Sequence, residues 1–363
     1  MPFASPRGFR AGGSMTAVRI GNKVIGGSDR CMVIAEVAQS HDGSLGMAHA
    51  FIDLAADCGA DAVKFQTHIA AAESTPHEPW RIPFSRQDGS RYEYWQRMEF
   101  SAAQWSGLKR HADDRGILFL SSPFSVRAVE LLRGIGMMAW KIASGEVAND
   151  LLLDSVLEDR RPVILSSGLS SWAELDRSVD RVRSAGAEFA VLQCTTEYPS
   201  RPETVGLNIL AEMRRRYGCP AGLSDHSGAV FAPLAAVALG ASCIEVHLAF
   251  HRGMFGPDVP ASLLPDQLSL LCDGVSAIHR MLSTSVDKDA QAAAAEPLRR
   301  VFGRSIVLDA PVPAGTLIEA GMVSFRKPGT GIPPAELARV IGRRVKHGLP
   351  ADHLLRDEDL HLD

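Results

Sequence analysis

The chain has 363 residues, an apolar share of 46% and a net charge of −4. That length suits a barrel of about 250 residues plus a smaller domain, and the weak charge excludes a general field for nucleic acid or an anionic membrane. No apolar run approaches the ~20 residues of a membrane span, and six scattered cysteines without a CxxC pair read as reduced structural thiols of a cytoplasmic protein.

Residues 1–16 carry Arg, Gly and Pro but no apolar signal-peptide core, and read as a loose tail. VRIGNKVIGG predicts a small hairpin. From there to about residue 282, short β-rich runs alternate with helical patterns. The runs fall at 31–37, 61–67, 117–122, 138–144, 162–167, 189–195, 221–225 and 243–249. Between them, Leu45, Ala48, Ile52 and Ala55 mark one amphipathic helix, stopped at Gly59. Trp172, Leu175, Val179 and Val182 mark another, opened by a Ser171/Glu174 capping box and stopped at Gly186. Eight βα units in a row predict an α/β fold, a (β/α)8 TIM barrel over 17–282. An open doubly wound sheet is the alternative, but no glycine-rich dinucleotide turn follows the first strand.

His68 to Met98 interrupts this rhythm with prolines, arginines and aromatics and no clear period. A long loop after a barrel strand belongs on the active face. Residues 283–302 are rich in Ala and charge and read as a partly helical linker. The remainder, 303–363, is a β-rich module with an internal echo, VPAGTLIEAGMV at 312–323 and LPADHLLRDEDL at 349–360. The echo predicts a pseudo-twofold, and so small a core needs a surface to dock on.

The barrel strands end in polar residues, on the face where such barrels carry their chemistry. In CIEVHLA, Ile244, Val246 and Leu248 alternate with Glu245 and His247, which places the latter two inside the barrel. His226 ends the neighbouring strand, so the two imidazoles can converge on a divalent ion, with Glu245 orienting a ligand from behind; the bland reading is two structural histidines. Lys64 and Lys141 sit mid-strand among apolar residues, where an ammonium must be paired. Either each pairs with a carboxylate such as Glu36 or Glu146, or they join Ser122, Ser144, Ser166 and Ser224 in a cradle for phosphate and carboxylate.

With these residues in view, the chain resembles the sialic acid synthase family of phosphoenolpyruvate-dependent nonulosonic acid synthases. IAEVAQSHDGSLGMA, DAVKFQT, LSSPFS, KIASGEV, ILSSGLS, QCTTEYP, GLSDHS, EVHLAF and GPDVPASL carry the resemblance. GRSIVLDAPVPAGTLI and KPGTGIPP extend it into the family's C-terminal antifreeze-like (SAF, β-clip) domain. The resemblance implies condensation of phosphoenolpyruvate with an N-acetylmannosamine-type hexosamine and water to a sialic acid and phosphate. His226 and His247 would hold the metal, Mn²⁺ first, with Mg²⁺, Co²⁺, Fe²⁺ or Zn²⁺ as alternatives. Lys64, Lys141, Ser122, Ser144, Ser166, Ser224 and Thr196 would bind phosphoenolpyruvate, with Lys141 also catalytic. Glu36 and Glu146 would move protons, and Gln66, Tyr198 and Asp258 would contact the sugar.

The family enzyme is a homodimer in which each small domain caps the partner's barrel. Three departures bear on the sugar. Lys327 stands where members often have an arginine contacting the acyl group, and lacks its fork of donors. Val259 replaces a frequent histidine, and Gln39-Ser40-His41 replaces an Asn-His-Asn-like motif. A pseudaminic or legionaminic acid synthase using a 2,4-diacylamino sugar is the nearest rival. A carbohydrate- or ice-binding protein on a degenerate barrel is the non-enzyme rival.

Overall fold

The computed structural model describes residues 17–361, so the expected tail at 1–16 lies outside the described residues. The chain divides into two compact units, one ending at Ser283 and the other beginning at Thr284.

The first unit opens with the antiparallel hairpin β1 (Val18–Ile20) and β2 (Lys23–Ile25). The barrel strands follow as β3 (Met32–Ala38), β4 (Ala62–Thr67), β5 (Leu118–Pro123), β6 (Trp140–Ile142), β7 (Val163–Ser166), β8 (Phe189–Cys194), β9 (Ala221–Asp225) and β10 (Cys243–Leu248). They are parallel, in the order β5-β4-β3-β10-β9-β8-β7-β6, and a two-residue strand β11 (Ser262–Leu263) pairs in parallel with the end of β10. The expected barrel is present with one difference. Strands β5 and β6 are neighbours in space but share no hydrogen-bonded ladder, because β6 is only three residues long where seven had been expected. Its continuation, Ser144–Glu146, turns into a 3-10 helix, and all three of its residues line the pocket.

Two helices show why the local sequence folds as it does. Ser171 accepts from the Glu174 amide while the Glu174 carboxylate answers to the Ser171 amide, so Trp172–Ser184 begins at the predicted box. Leu45–Asp57 buries Ala48, Phe51, Ile52 and Ala55 on the barrel and gives way to Gly59 in the left-handed region, at φ +82°.

The alternation on the strands separates two cores. Ile244, Val246 and Leu248 face the helices, in the large outer cluster. Inside, Met32, Ile34, Ala62, Leu118, Leu120, Ala139, Ile164, Ala190, Leu192 and Cys243 fill the lower barrel, and hairpin residues Val18, Ile20 and Ile25 plug it from below. Above these apolar layers the inward residues become polar. All six cysteines are free and buried, and no described helix is long and apolar enough to cross a membrane.

The segment after β4 is ordered rather than featureless. It holds short helices at Ala70–Glu73 and Arg91–Met98, the latter opened by a Ser90/Glu93 capping box. Ala70, Tyr94, Trp95 and Met98 form its own small core, against which Trp80, Phe84 and Tyr92 pack.

In the second unit, helices Lys288–Ala294 and Glu296–Phe302 precede the antiparallel pair β12 (Ser305–Leu308) and β13 (Val323–Arg326). The internal echo is structural. Val312 and Leu349 exchange both backbone hydrogen bonds, and Ala320–Met322 and Asp357–Asp359 form 3-10 helices at matching positions. Gly315 and Asp352 match as well, both in the left-handed region at φ +78° and +63°. Ile318 and Leu355 are matching members of the apolar core.

The hairpin plug is fastened electrostatically. Asp61 takes Lys23 Nζ at 2.8 Å, Arg30 Nη2 at 2.7 Å and the Val33 amide at 2.9 Å. Asp61→Ala strands all three donors, and should lower the urea-derived unfolding free energy by about 2–3 kcal/mol. An unchanged midpoint would show the plug to be held by its apolar contacts alone.

Candidate active site

The polar ends of the strands and the wall formed by residues 68–98 enclose a cavity of about 530 Å³, within the size range of small-molecule sites. On its floor four charged side chains meet. Glu36 on β3 lies beside Lys64 on β4 in the ladder, and Glu36 Oε2 is 2.8 Å from Lys64 Nζ. Glu245 Oε1 on β10 is 3.6 Å from Lys64 Nζ, 3.4 Å from Lys141 Nζ, and accepts from Ser224 Oγ at 3.2 Å. Lys64 also donates to Ser122 Oγ at 3.3 Å, and Lys141 to Ser166 Oγ at 2.8 Å.

This geometry corrects two expectations. The carboxylate nearest Lys141 is Glu245, not Glu146. Glu245, expected to orient a metal ligand, instead bridges the two lysines. Sequence shows that a buried lysine needs a partner, but not which of several carboxylates the barrel brings to it.

The two lysines respond differently. Burial, the larger influence on each, pushes the ammonium pKa down. At Lys64 the facing Glu245 and Glu36 outweigh burial and raise it. At Lys141 burial prevails over Glu245, with Lys64 adding repulsion, and the pKa falls. Burial alone would raise the Glu245 carboxyl, but Lys141 and Lys64 hold it low. Lys141 is thus short of negative charge, and an arriving anion would supply it.

Around Lys141 the wall is built for close approach. Ser144 Oγ accepts from the Gly168 amide at 3.1 Å and lies 3.4 Å from Cys194 Sγ. A Cβ on Gly168 would come within 2.8 Å of Ser144 Oγ and 2.9 Å of Thr196 Cγ2. Ser144, Ser166, Thr196 and Ser224 line the cavity; Ser122 does not, and accepts from Lys64 Nζ as its support.

His226 and His247 come together with ring centroids 5.2 Å apart. His226 Nδ1 lies 2.6 Å from the Thr195 carbonyl, so it carries the proton and leaves Nε2 as the acceptor. That Nε2 is 3.1 Å from the Tyr198 hydroxyl, and the Tyr198 ring stacks on His226 at 4.0 Å. Burial, then His247, push the His226 pKa down to about 3, so the ring is neutral. His247 Nδ1 is buried without a hydrogen-bond partner. A neutral His226 locked by a carbonyl and a His247 with an unsatisfied ring nitrogen fit a divalent ion whose other positions fall to water or substrate oxygens. Among the described residues no third His, Cys, Asp or Glu completes an all-protein site.

Glu146 is half-buried on the rim, with Asn149 donating to Oε2 at 2.8 Å; burial, the main cause, raises its pKa. Gln66 donates to Glu36 Oε1 at 2.8 Å. Asp258 accepts from Arg81 Nη2 at 2.6 Å, and that guanidinium lies 4.4 Å over the Tyr198 ring. Lys327 belongs to the second unit, where its Nζ lies 5.4 Å from the Phe302 ring centre. The sequence points to the 68–98 segment, Arg81 within it, and to Gln39 as a departure bearing on the sugar, and both residues line the cavity; it does not single out His68, Glu73 or Glu78, which line it too. The only signal was the density of aromatic and charged residues in a loop too long to be idle.

Comparison with known proteins identifies the family and its two domains. The NeuB family model matches residues 51–287 and the SAF domain model residues 303–361. The human N-acetylneuraminate-9-phosphate synthase is 31% identical, covering 92% of this chain and 94% of that protein. The Campylobacter jejuni N,N'-diacetyllegionaminic acid synthase is 30% identical, covering 90% of this chain and 99% of that protein. The crystal structure of the N-acetylneuraminic acid synthetase from Leptospira borgpetersenii serovar Hardjo-bovis, in complex with citrate, is 30% identical. It superposes with a TM-score of 0.69, covering 79% of this chain and 98% of that one. The chain belongs to the NeuB family, as a C–C bond-forming synthase with a TIM barrel and a C-terminal SAF domain.

Proposed function

We propose that the enzyme condenses phosphoenolpyruvate with the open-chain aldehyde of an N-acylated hexosamine, of the N-acetylmannosamine type, and with water, giving a nonulosonic acid and phosphate. The observation that supports it most is the incompletely compensated Lys141 beside Ser166, with Ser144 held by the Gly168 amide, in the same cavity as the paired imidazoles.

Lys141 and Lys64 receive the phosphate and carboxylate of phosphoenolpyruvate, with Ser144, Ser166, Thr196 and Ser224 as hydroxyl partners and Ser122 supporting Lys64. His226 and His247 hold a divalent ion, Mn²⁺ first, which when bound supplies polarisation of the acceptor carbonyl. Glu36, tied to Lys64 and Gln66, is held rigidly and orients groups at the floor. Glu146 has one oxygen engaged by Asn149 and faces the cavity, so it is the carboxylate placed to take a proton from the water that adds at C2. Tyr198, Gln66 and Asp258 meet the sugar. In a homodimer, Lys327 would meet the acyl group from the partner's SAF domain with a single ammonium in place of a fork.

Phosphate release with phosphoenolpyruvate, Mn²⁺ and a panel of 2-acylamino and 2,4-diacylamino hexoses tests this. Turnover should need all three components, and the best acceptor separates the sialic from the legionaminic and pseudaminic reactions. Silence across the whole panel, with folded protein, would overturn the assignment. Removal of Mn²⁺ by a chelator should abolish release. His226→Ala should weaken Mn²⁺ binding, read by paramagnetic resonance without substrate, by more than the ~10–100-fold typical of losing an outer-shell partner; unaltered binding would move the metal elsewhere. Gly168→Ala should raise KM for phosphoenolpyruvate more than KM for the sugar, since its Cβ meets Ser144 and Thr196. A base must be ionised to act, and burial raises the Glu146 pKa. Activity should therefore fail as pH drops through that raised value, and Glu146→Gln should remove this acid limb and lower kcat by roughly 10²–10⁴-fold.

A further inference from the structure

Five side chains along one wall of the cavity form an unbroken run of hydrogen bonds from Glu36 on β3 to Glu73 in the inserted segment. Gln66 Nε2 donates to Glu36 Oε1 at 2.8 Å. Gln39 Nε2 lies 2.5 Å from Gln66 Oε1 and 2.8 Å from His68 Nε2, between two atoms that are themselves 3.2 Å apart. His68 Nδ1 lies 2.6 Å from Glu73 Oε1, while Glu73 Oε2 accepts from the Ile69 amide at 3.1 Å. The imidazole is clamped between Trp95, at 4.1 Å and 19°, and Phe124, at 4.5 Å and 18°. It is 4% exposed and has little freedom to turn.

Both ends of this run are carboxylates, which only accept when ionised. A chain of hydrogen bonds between two acceptors must reverse direction once, at a member that donates both ways. Gln39, with two protons on one nitrogen, is that member. Each remaining orientation then follows. Glu73 takes the proton on His68 Nδ1, so Nε2 is an acceptor. Gln39 therefore turns its nitrogen toward His68 and, with its other proton, toward Gln66 Oε1. Gln66 in turn presents its nitrogen to Glu36. An amide read from one side only flips at little cost; here Gln66 is read through both its oxygen and its nitrogen, and the Gln39 nitrogen faces two acceptors.

We propose that Gln39, His68 and Glu73 are positioning residues of this active site, fixing the Gln66 carboxamide in the orientation that holds Glu36. They act through Gln66 rather than on the reacting atoms. Through them the inserted 68–98 segment sets the geometry of a floor carboxylate.

Glu73→Gln tests this with a change of one atom. The Ile69 amide keeps the remaining oxygen, so the new NH₂ faces His68 Nδ1 and forces the proton to Nε2. That proton faces the Gln39 nitrogen, so Gln39 turns its oxygen toward His68, Gln66 turns to donate to Gln39, and Glu36 keeps Lys64 but loses the Gln66 donor. With ¹⁵N-labelled histidine, and His68→Gln to assign the signal, NMR should read an Nδ1–H tautomer at His68 in the parent chain and Nε2–H in Glu73→Gln. This readout needs no substrate, so it decides the orientation chain even if the synthase reading fails. An unchanged tautomer overturns the proposal.

The kinetic arm rests on the proposed synthase reaction. Glu73→Gln and Gln39→Leu should each lower kcat roughly tenfold to a hundredfold, with KM for phosphoenolpyruvate within about twofold. Both effects should vanish in a Gln66→Leu background. Independent, multiplying losses would show that these residues do not act through Gln66. Gln39→Leu also serves if Glu73→Gln does not fold.

Discussion

The structure is organised around a demand that buried charges make of one another. Glu36, Lys64, Lys141 and Glu245 are each at most 5% exposed. Beneath them the barrel is filled by apolar layers and closed by the hairpin, so water does not reach them from below. Isolated, each ion would be costly; held together, they balance. The balance is uneven, because Glu245 serves both lysines while Glu36 serves Lys64. The cluster therefore supports the barrel and leaves one cation under-compensated at the base of the cavity. A phosphorylated carboxylate is the kind of ligand that completes such an arrangement.

That constraint also explains which parts of the molecule could be read in the chain and which could not. The eight strands were legible because the outward face of each is apolar and the inward face changes from apolar to polar toward the C-terminal end, as in CIEVHLA. His226 and His247 were legible as a pair because adjacent strand ends must be close. The partner of Lys141 was not legible. Glu146 is nearer in sequence, but it lies in a 3-10 turn on the rim, whereas Glu245 points from the opposite part of the ladder into the layer between the lysines. Register and layer decide such pairings, and neither is visible before the barrel closes.

The inserted segment was harder still. It has no period because its contacts are with itself and with distant loops: Arg81 with Asp258, Arg97 with Asp42 and Asp88, Trp95 with Glu78. Its charges could be identified as unusual for a loop but not matched. By contrast the SAF echo survives to the backbone. Gly315 and Asp352 share a left-handed turn that glycine and aspartate tolerate better than most residues. A twofold repeat constrains the main chain even where side chains have diverged.

These observations place the two halves of the proposed reaction under different kinds of control. The phosphate end is built from barrel strands and the short turns that follow them, whose positions the closed sheet fixes. In the proposed reaction the acceptor end, where Tyr198, Gln66 and Asp258 meet the sugar, is walled by a segment with its own core, tied to the barrel by the Arg81–Asp258 pair and by the run from Glu73 to Glu36. Substitutions in that segment alter what the cavity admits. Because the same segment also orients Gln66, they alter how a floor carboxylate is held. On this reading a change of acceptor cannot be made by reshaping the wall alone: a new wall must still present an acceptor to His68 Nδ1, or the amides behind it turn and the floor changes with them.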